Sequence, residues 1–172
     1  AGSGHGRMTH PSIVTCPADV LRRPSEVVDV LDSETGKIVA DLKRIVGEAR
    51  GLGLAAPQIG VAKRACVVVG EDGPFALLNP EIAWASDEVS VGEEGCLSIP
   101  GVFFEVERPS RIAVRYADEA GESRETSFEG RLAAVVQHEI DHLDGVLFPD
   151  RLSRTRARMA WKRYAKVSKR RR

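Results

Sequence analysis

The chain has 172 residues, 42% apolar and 29% charged, with a formal net charge of zero. That profile fits an ordinary soluble globular domain and excludes disordered, fibrous and membrane-embedded classes, since no apolar run approaches the ~20 residues that span a bilayer. Three cysteines, Cys16, Cys66 and Cys96, are too few and too widely spaced for a disulfide framework and argue for a reducing compartment.

The zero net charge hides an asymmetry. Eleven of the 25 Lys+Arg residues fall in 151–172, which has no Asp or Glu, so residues 1–150 carry 14 basic and 25 acidic residues. An acidic body with a basic tail points either to a polyanionic partner for the tail or to a helix that is only solvated by its charges.

Residues 1–8 read as an expression-tag remnant, because no apolar stretch follows as in a signal peptide. His5 and His10 are set aside on that reading, which leaves His138 and His142 as the histidines of the body. Pro17 and Pro24 break the stretch 13–32, which is expected to wrap the core irregularly. From 33 to 50, Ile38, Leu42, Ile45, Val46 and Ala49 recur at helical spacing, with Ser33 or Thr35 as cap and Gly51 in the left-handed position after the end. The segment Gly51-Leu52-Gly53-Leu54-Ala55-Ala56-Pro57-Gln58 combines flexible glycines with one polar side chain, Gln58. It lacks the lysine of a phosphate loop and the spacing of a dinucleotide fingerprint, so nucleotide binding is rejected.

Short strands are predicted at 65–69 and 75–78, joined by a hairpin turn at 71–74, with Asn79-Pro80 ending the second. Further strands are predicted at 89–91, 102–106, 111–116 and 124–128. Between them lies Glu93-Glu94-Gly95-Cys96-Leu97-Ser98, an unusual polar and glycine-flanked setting for a cysteine. A helix follows from about 129 to 143, with Leu132, Val136, Ile140 and Leu143 toward the core and Arg131, Val135, His138 and His142 on a neighbouring face. Gly145 is its C-terminal cap. A basic helix is predicted from 153 onward. No repeat or linker divides the chain, so residues 9–150 form one body and 151–172 a basic tail.

Within the second helix, Gln137-His138-Glu139-Ile140-Asp141-His142 places two imidazoles four residues apart on one face, able to share a metal ion, with a glutamate beside them to handle the proton of a water on that ion. Catalytic zinc-type sites use three protein ligands. Downstream of Gly145 the one carboxylate is Asp150, eight residues past His142, and there is no His or Cys. The third ligand is therefore sought upstream, where Cys96 combines strong ligand chemistry with its unusual setting; a thiolate with two imidazoles suits Zn(II) or Fe(II).

Three segments, 51–58, 94–98 and 137–145, resemble the signature segments of peptide deformylases, in family order and at similar spacing. The resemblance covers most of the chain from the first helix to the tail and is similar to the type found in Gram-negative bacteria and organelles. It implies a single α+β domain: antiparallel and mixed β-sheets around the central His-Glu-x-x-His helix, with an N-terminal helix and a basic C-terminal helix. It further implies Cys96, His138 and His142 as ligands of one divalent ion, Fe(II) in the cell, with Zn, Ni or Co as occupants in crystals. The implied substrate is a nascent polypeptide beginning with N-formylmethionine, hydrolysed to formate and a free amine. Glu139 would act as general base and acid, and the Gln58 amide and Leu97 backbone N–H would stabilise the oxyanion, each such donor being worth about 10²–10³ in rate. Leu52, Gly53 and Gly95 would receive the extended peptide, Val135 would wall the methionine pocket and Arg131 would form its rim. Glu94 would orient a ligand histidine or pair with Arg108. The tail would dock on the ribosome, so that deleting 153–172 would spare hydrolysis and weaken docking; no membrane or DNA partner is implied. A bacterial cytoplasmic location is expected, with a mature organellar form as alternative. Two other readings stay open at this point: a metalloendopeptidase, and a ribosome- or RNA-binding module with a vestigial metal site.

Overall fold

A computed structural model describes residues 9–172; the stretch read as a tag remnant lies outside them. The first helix, α1 (Ser33–Glu48), forms where the apolar stripe predicts it and buries Ile38, Val39, Leu42, Ile45 and Val46. Its cap differs from expectation. Asp32 is the N-cap, its carboxylate accepting from the Glu34 N–H, while the Thr35 hydroxyl instead donates to the Asp29 carbonyl at 2.7 Å. The helix also ends earlier, and the left-handed residue after it is Arg50 (φ 55), not Gly51.

Seven strands follow the glycine-rich segment or its neighbours: β1 (Gly53–Ala55), β2 (Ala65–Gly70), β3 (Gly73–Ala85), β4 (Val89–Cys96), β5 (Ile99–Pro109), β6 (Arg111–Ala117) and β7 (Ser123–Glu129). They form a five-stranded sheet of order β1-β2-β3-β6-β7 and a two-stranded sheet β4-β5. Every pairing of these strands is antiparallel; the parallel contact is the isolated bridge between Glu26 and Lys63. β3 runs through Asn79-Pro80 rather than ending there. It does so because the β3–β6 ladder shifts register between Leu78 and Glu81, Asn79 takes a positive φ of 51°, and a bulge leaves proline's missing N–H without a ladder to break. β4 and β5 likewise extend past the short apolar runs: β4 is exposed over most of its length and carries little hydrophobic pattern, while β5 alternates buried and exposed residues and runs on through Glu107 and the buried Arg108.

The second helix, α2 (Gly130–Leu143), lies between the layers and is buried without interruption from Val136 to Leu143. One apolar cluster joins α1 to the inner face of β1–β3, a second joins α2 to the five-stranded sheet, and a third lies under β5 and the C-terminal helix. That helix, α3 (Arg154–Arg170), follows a 3-10 turn, Phe148–Arg151. Ser153 caps it by accepting from the Arg156 N–H. α3 is no detached tail. Ala160 is buried in the same cluster as Phe104 and Ile99, with Trp161 and Tyr164 packed beside it, and the Tyr164 hydroxyl donates to the Cys16 carbonyl at 2.6 Å. α3 thus covers one side of the third cluster. No helix among the described residues is long and apolar enough to cross a membrane.

Candidate active site

The polar side chains of α2 from Gln137 onward are buried, so each must find a partner or have a reason to lack one. The Gln137 amide donates to the carbonyls of Pro109 and Ala133, both at 3.0 Å. His138 Nδ1 meets Glu94 Oε1 at 2.9 Å. Asp141 accepts from Arg108 at 2.9 Å and from Arg151 at 2.7 Å. Two buried atoms of this helix remain without partners: His142 Nδ1 and Glu139 Oε1.

β4 delivers the third component. Its ladder with β5 shifts register between Glu94 and Cys96, a bulge that redirects the side chain at the strand end. Cys96 Sγ then stands 3.3 Å from His142 Nε2. The ligand atoms of Cys96, His138 and His142 all lie within 4.8 Å of one another, and all three residues are buried. With Nδ1 of His138 engaged by Glu94, its other nitrogen is the one presented to the cluster. A soft thiolate and two imidazoles converging in a dry pocket fit a divalent ion of the zinc or iron type. The residues present therefore form a metal-binding Cys/His/His site.

The electrostatics follow from burial. Burial pushes the Glu139 carboxyl up to about 7. Burial also opposes ionisation of Glu94, yet hydrogen bonds from His138 and Arg108 outweigh it and hold the carboxyl at about 2. For His142, burial first and then the nearby Arg108 charge drive the imidazole well below its usual range, so it stays neutral.

Beside the cluster opens a cavity of about 660 Å³ walled by β4, the start of β1 and the exposed face of α2. Its lining includes Leu52, Gly53, Gln58, Gly95, Cys96, Leu97, Arg131, Val135, His138 and Glu139. His142 is the sequence-predicted site residue that does not reach the wall; it sits behind the other two ligands. The glycines have specific reasons to be glycine. A Cβ on Gly53 would stand 2.5 Å from Glu139 Oε2, and one on Gly95 would collide with the Phe103 ring. Gln58 is held on both sides, its oxygen accepting from the Ala55 N–H at 3.0 Å and its nitrogen donating to the Ser98 hydroxyl at 3.1 Å and approaching Cys96 Sγ at 3.6 Å. Val135 is partly buried and Arg131 is exposed at the mouth. Glu94 makes both contacts expected of it as alternatives, to His138 and to Arg108.

A model of the polypeptide deformylase family matches residues 11–158. The chain belongs to the polypeptide deformylase family. The curated peptide deformylase of Rhizobium meliloti is 43% identical over 167 residues, covering 94% of this chain and 96% of that one. That of Phenylobacterium zucineum is 44% identical over 162 residues, covering 91% and 96%. Among solved structures, a peptide deformylase from Ehrlichia chaffeensis in complex with actinonin superposes with a TM-score of 0.86 at 41% identity, covering 94% of this chain and 97% of that one. One from Synechococcus elongatus, also with actinonin, gives 0.83 at 38% identity, covering 89% and 85%.

In this deformylase-family chain, four residues around the centre escaped sequence reasoning. Ser98 fixes the Gln58 amide. Asp141 ties α2 to Arg108. Phe148 lays its ring near that of His138, with centroids 6.2 Å apart. Arg151 reaches back to Asp141. Asp141 had a signal, being an acidic residue on the inward-facing turn between two ligands; Arg151 had none beyond its contribution to the tail's charge.

Proposed function

We propose that this enzyme removes the formyl group from the N-terminal formylmethionine of nascent polypeptides, releasing formate. The observation that carries the reading is the convergence of the Glu139 carboxylate and the Gln58 amide on the Cys96–His138–His142 cluster, in one cavity. A divalent ion held by these three residues, with Fe(II) as the cellular occupant and Zn, Ni or Co as substitutes, makes water more acidic and polarises a carbonyl oxygen.

The chain's own groups do the rest. Glu139 Oε1 is buried and unpartnered, so it is free to take a proton from the attacking water and return it to the leaving amine. Gln58 Nε2 and the Leu97 backbone N–H would donate to the oxyanion, Gln58 turning to it the N–H that now faces Cys96 Sγ while Ala55 and Ser98 keep hold of the amide. The extended peptide lies between the free edges of β1 and β4, along Leu52-Gly53 and Gly95, with its methionine side chain toward Val135 and Arg131 at the rim. The exposed stripe Arg158, Lys162, Lys166 and Lys169 on α3 supports docking on the polyanionic ribosomal surface, and the bacterial relatives together with three unpaired cysteines support a cytoplasmic location.

The test is formate release from formyl-Met-Ala-Ser by anaerobically purified protein of measured metal content. Release from the formyl peptide, none of the corresponding acid from acetyl-Met-Ala-Ser, and no cleavage of the free-amine peptide are expected. Internal peptide cleavage without formate would establish an endopeptidase instead. Metal-replete protein that releases no formate, with Glu139→Ala changing nothing, would overturn catalysis altogether.

A further inference from the structure

We propose that Arg151, in the 3-10 turn before α3, is a positioning residue for the metal ligand His138, acting through Asp141, Arg108 and Glu94. The inference rests on the metal-centre reading of Cys96, His138 and His142, and its first readout needs no substrate.

The connection is continuous and bonded at every link. Arg151 Nη2 donates to Asp141 Oδ1 at 2.7 Å and its Nε to Oδ2 at 3.1 Å. Arg108 Nη1 donates to the same Oδ2 at 2.9 Å. The other edge of the Arg108 guanidinium grips Glu94, Nε to Oε2 at 2.6 Å and Nη2 to Oε1 at 2.9 Å. Glu94 Oε1 finally meets His138 Nδ1 at 2.9 Å. Two carboxylates thus face two guanidiniums, and the set is balanced in charge.

Arg151 occupies a particular place in that balance. The side chains of Arg108, Asp141 and Glu94 are 5%, 9% and 11% exposed, whereas that of Arg151 is 49% exposed. A half-exposed arginine on an exposed carboxylate would be worth little. Here the carboxylate is buried, and Arg151 supplies the one bond to Oδ1 and one of the two to Oδ2. Without it Asp141 is a buried anion with an orphaned oxygen, which is costly. The nearest relief is a turn of Arg108 toward Asp141, and that turn takes Nε and Nη2 off Glu94 and frees His138 to rotate. The backbone of Arg151 does not drift, because Phe148 is buried beside His138 and the Leu152 N–H closes the turn on the Pro149 carbonyl.

Loss of an outer partner of a metal-bound histidine commonly weakens metal binding by 10–100-fold. Full-length protein loaded with Co(II), with release into excess chelator followed by the thiolate-to-cobalt absorption band, reads this directly. Arg151→Ala is expected to release Co(II) about tenfold faster, and Arg151→Lys, which keeps the charge and one contact, to fall between it and the parent. With formyl-Met-Ala-Ser, kcat should fall in parallel while KM stays unchanged. Thermal unfolding of the metal-free proteins separates a merely structural role. If Arg151→Ala releases Co(II) at the parent rate, or lowers metal-free stability while leaving release unmoved, the proposal is overturned. Should the parent protein release no formate, the deformylase reading fails alone, and Co(II) release still decides the role of Arg151.

Discussion

Replacing Gly53 with alanine adds one methyl group at the point where β1 passes α2 beside Glu139. Gly53 does not occupy a positive-φ position, so alanine introduces no backbone strain and acts through contact alone. Its Cβ would stand 2.5 Å from Glu139 Oε2 and 2.9 Å from both Cδ and Cγ, where ordinary contact begins at 3.4 Å. The carboxylate must therefore retreat by about 1 Å, and a displacement of that size costs about 10²-fold in rate when the group moves a reacting proton. Overpacking adds a stability loss of about 1–3 kcal/mol. None of the three ligands is touched, so metal content should remain that of the parent. The assay is kcat for formate release from formyl-Met-Ala-Ser, with metal content and thermal midpoint measured on the same samples. A Gly53→Ala enzyme with full metal content and kcat within about threefold of the parent would refute the argument that Glu139 works from the position seen here.

Other consequences are equally open to measurement. Gly47 lies in α1 with nothing within 4 Å of the place an added Cβ would take, so Gly47→Ala should raise unfolding free energy by about 0.5–1 kcal/mol in urea titration. Leu42 is fully buried at the centre of the first cluster, and Leu42→Ala should lower it by about 2–5 kcal/mol. Tyr164→Phe removes the hydroxyl bond that anchors α3 to the Cys16 carbonyl and should cost about 1 kcal/mol without changing kcat. Burial pushes the Cys16 thiol up to about 12 and raises Cys66 well above its usual value, so iodoacetamide at about pH 8 should leave both unmodified until denaturant is added. Reversing Arg158, Lys162, Lys166 and Lys169 to glutamate should abolish ribosome cosedimentation at low salt while leaving tripeptide hydrolysis intact; unchanged cosedimentation would remove the docking role from α3.

Local pattern determined a good deal of this protein. The apolar stripes of α1 and α2 recur at helical spacing, and the two histidines of α2 must share a face because the helix repeat puts them there. Cys96 followed from ligand chemistry and from the absence of any donor downstream, and Gly145 takes the positive φ expected of a helix stop. Features set by long-range pairing were not legible. β3 passes through Asn79-Pro80 because a register shift shared with β6 accommodates them, and a one-dimensional pattern does not contain its partner strand. The cap of α1 moved to Asp32 because Thr35 found a carbonyl at Asp29.

The same division runs through the site. Residue identity singled out Cys96, His138 and His142, which the fold brings together, and put forward Glu139 and Gln58 beside them. Only the folded chain brought Glu94 and Arg108 from the β4–β5 sheet, Asp141 from α2 and Arg151 from the turn before α3 into one bonded series behind His138. Those charges lie up to 57 positions apart in the chain, and their pairing is enforced by the cost of burying any one of them alone. The basic tail shows the difference most plainly. Its composition left a polyanionic partner and a merely solvated helix as alternatives, whereas packing assigned one face of α3 to the core, left the other exposed, and set Arg151 of the preceding turn on the buried Asp141.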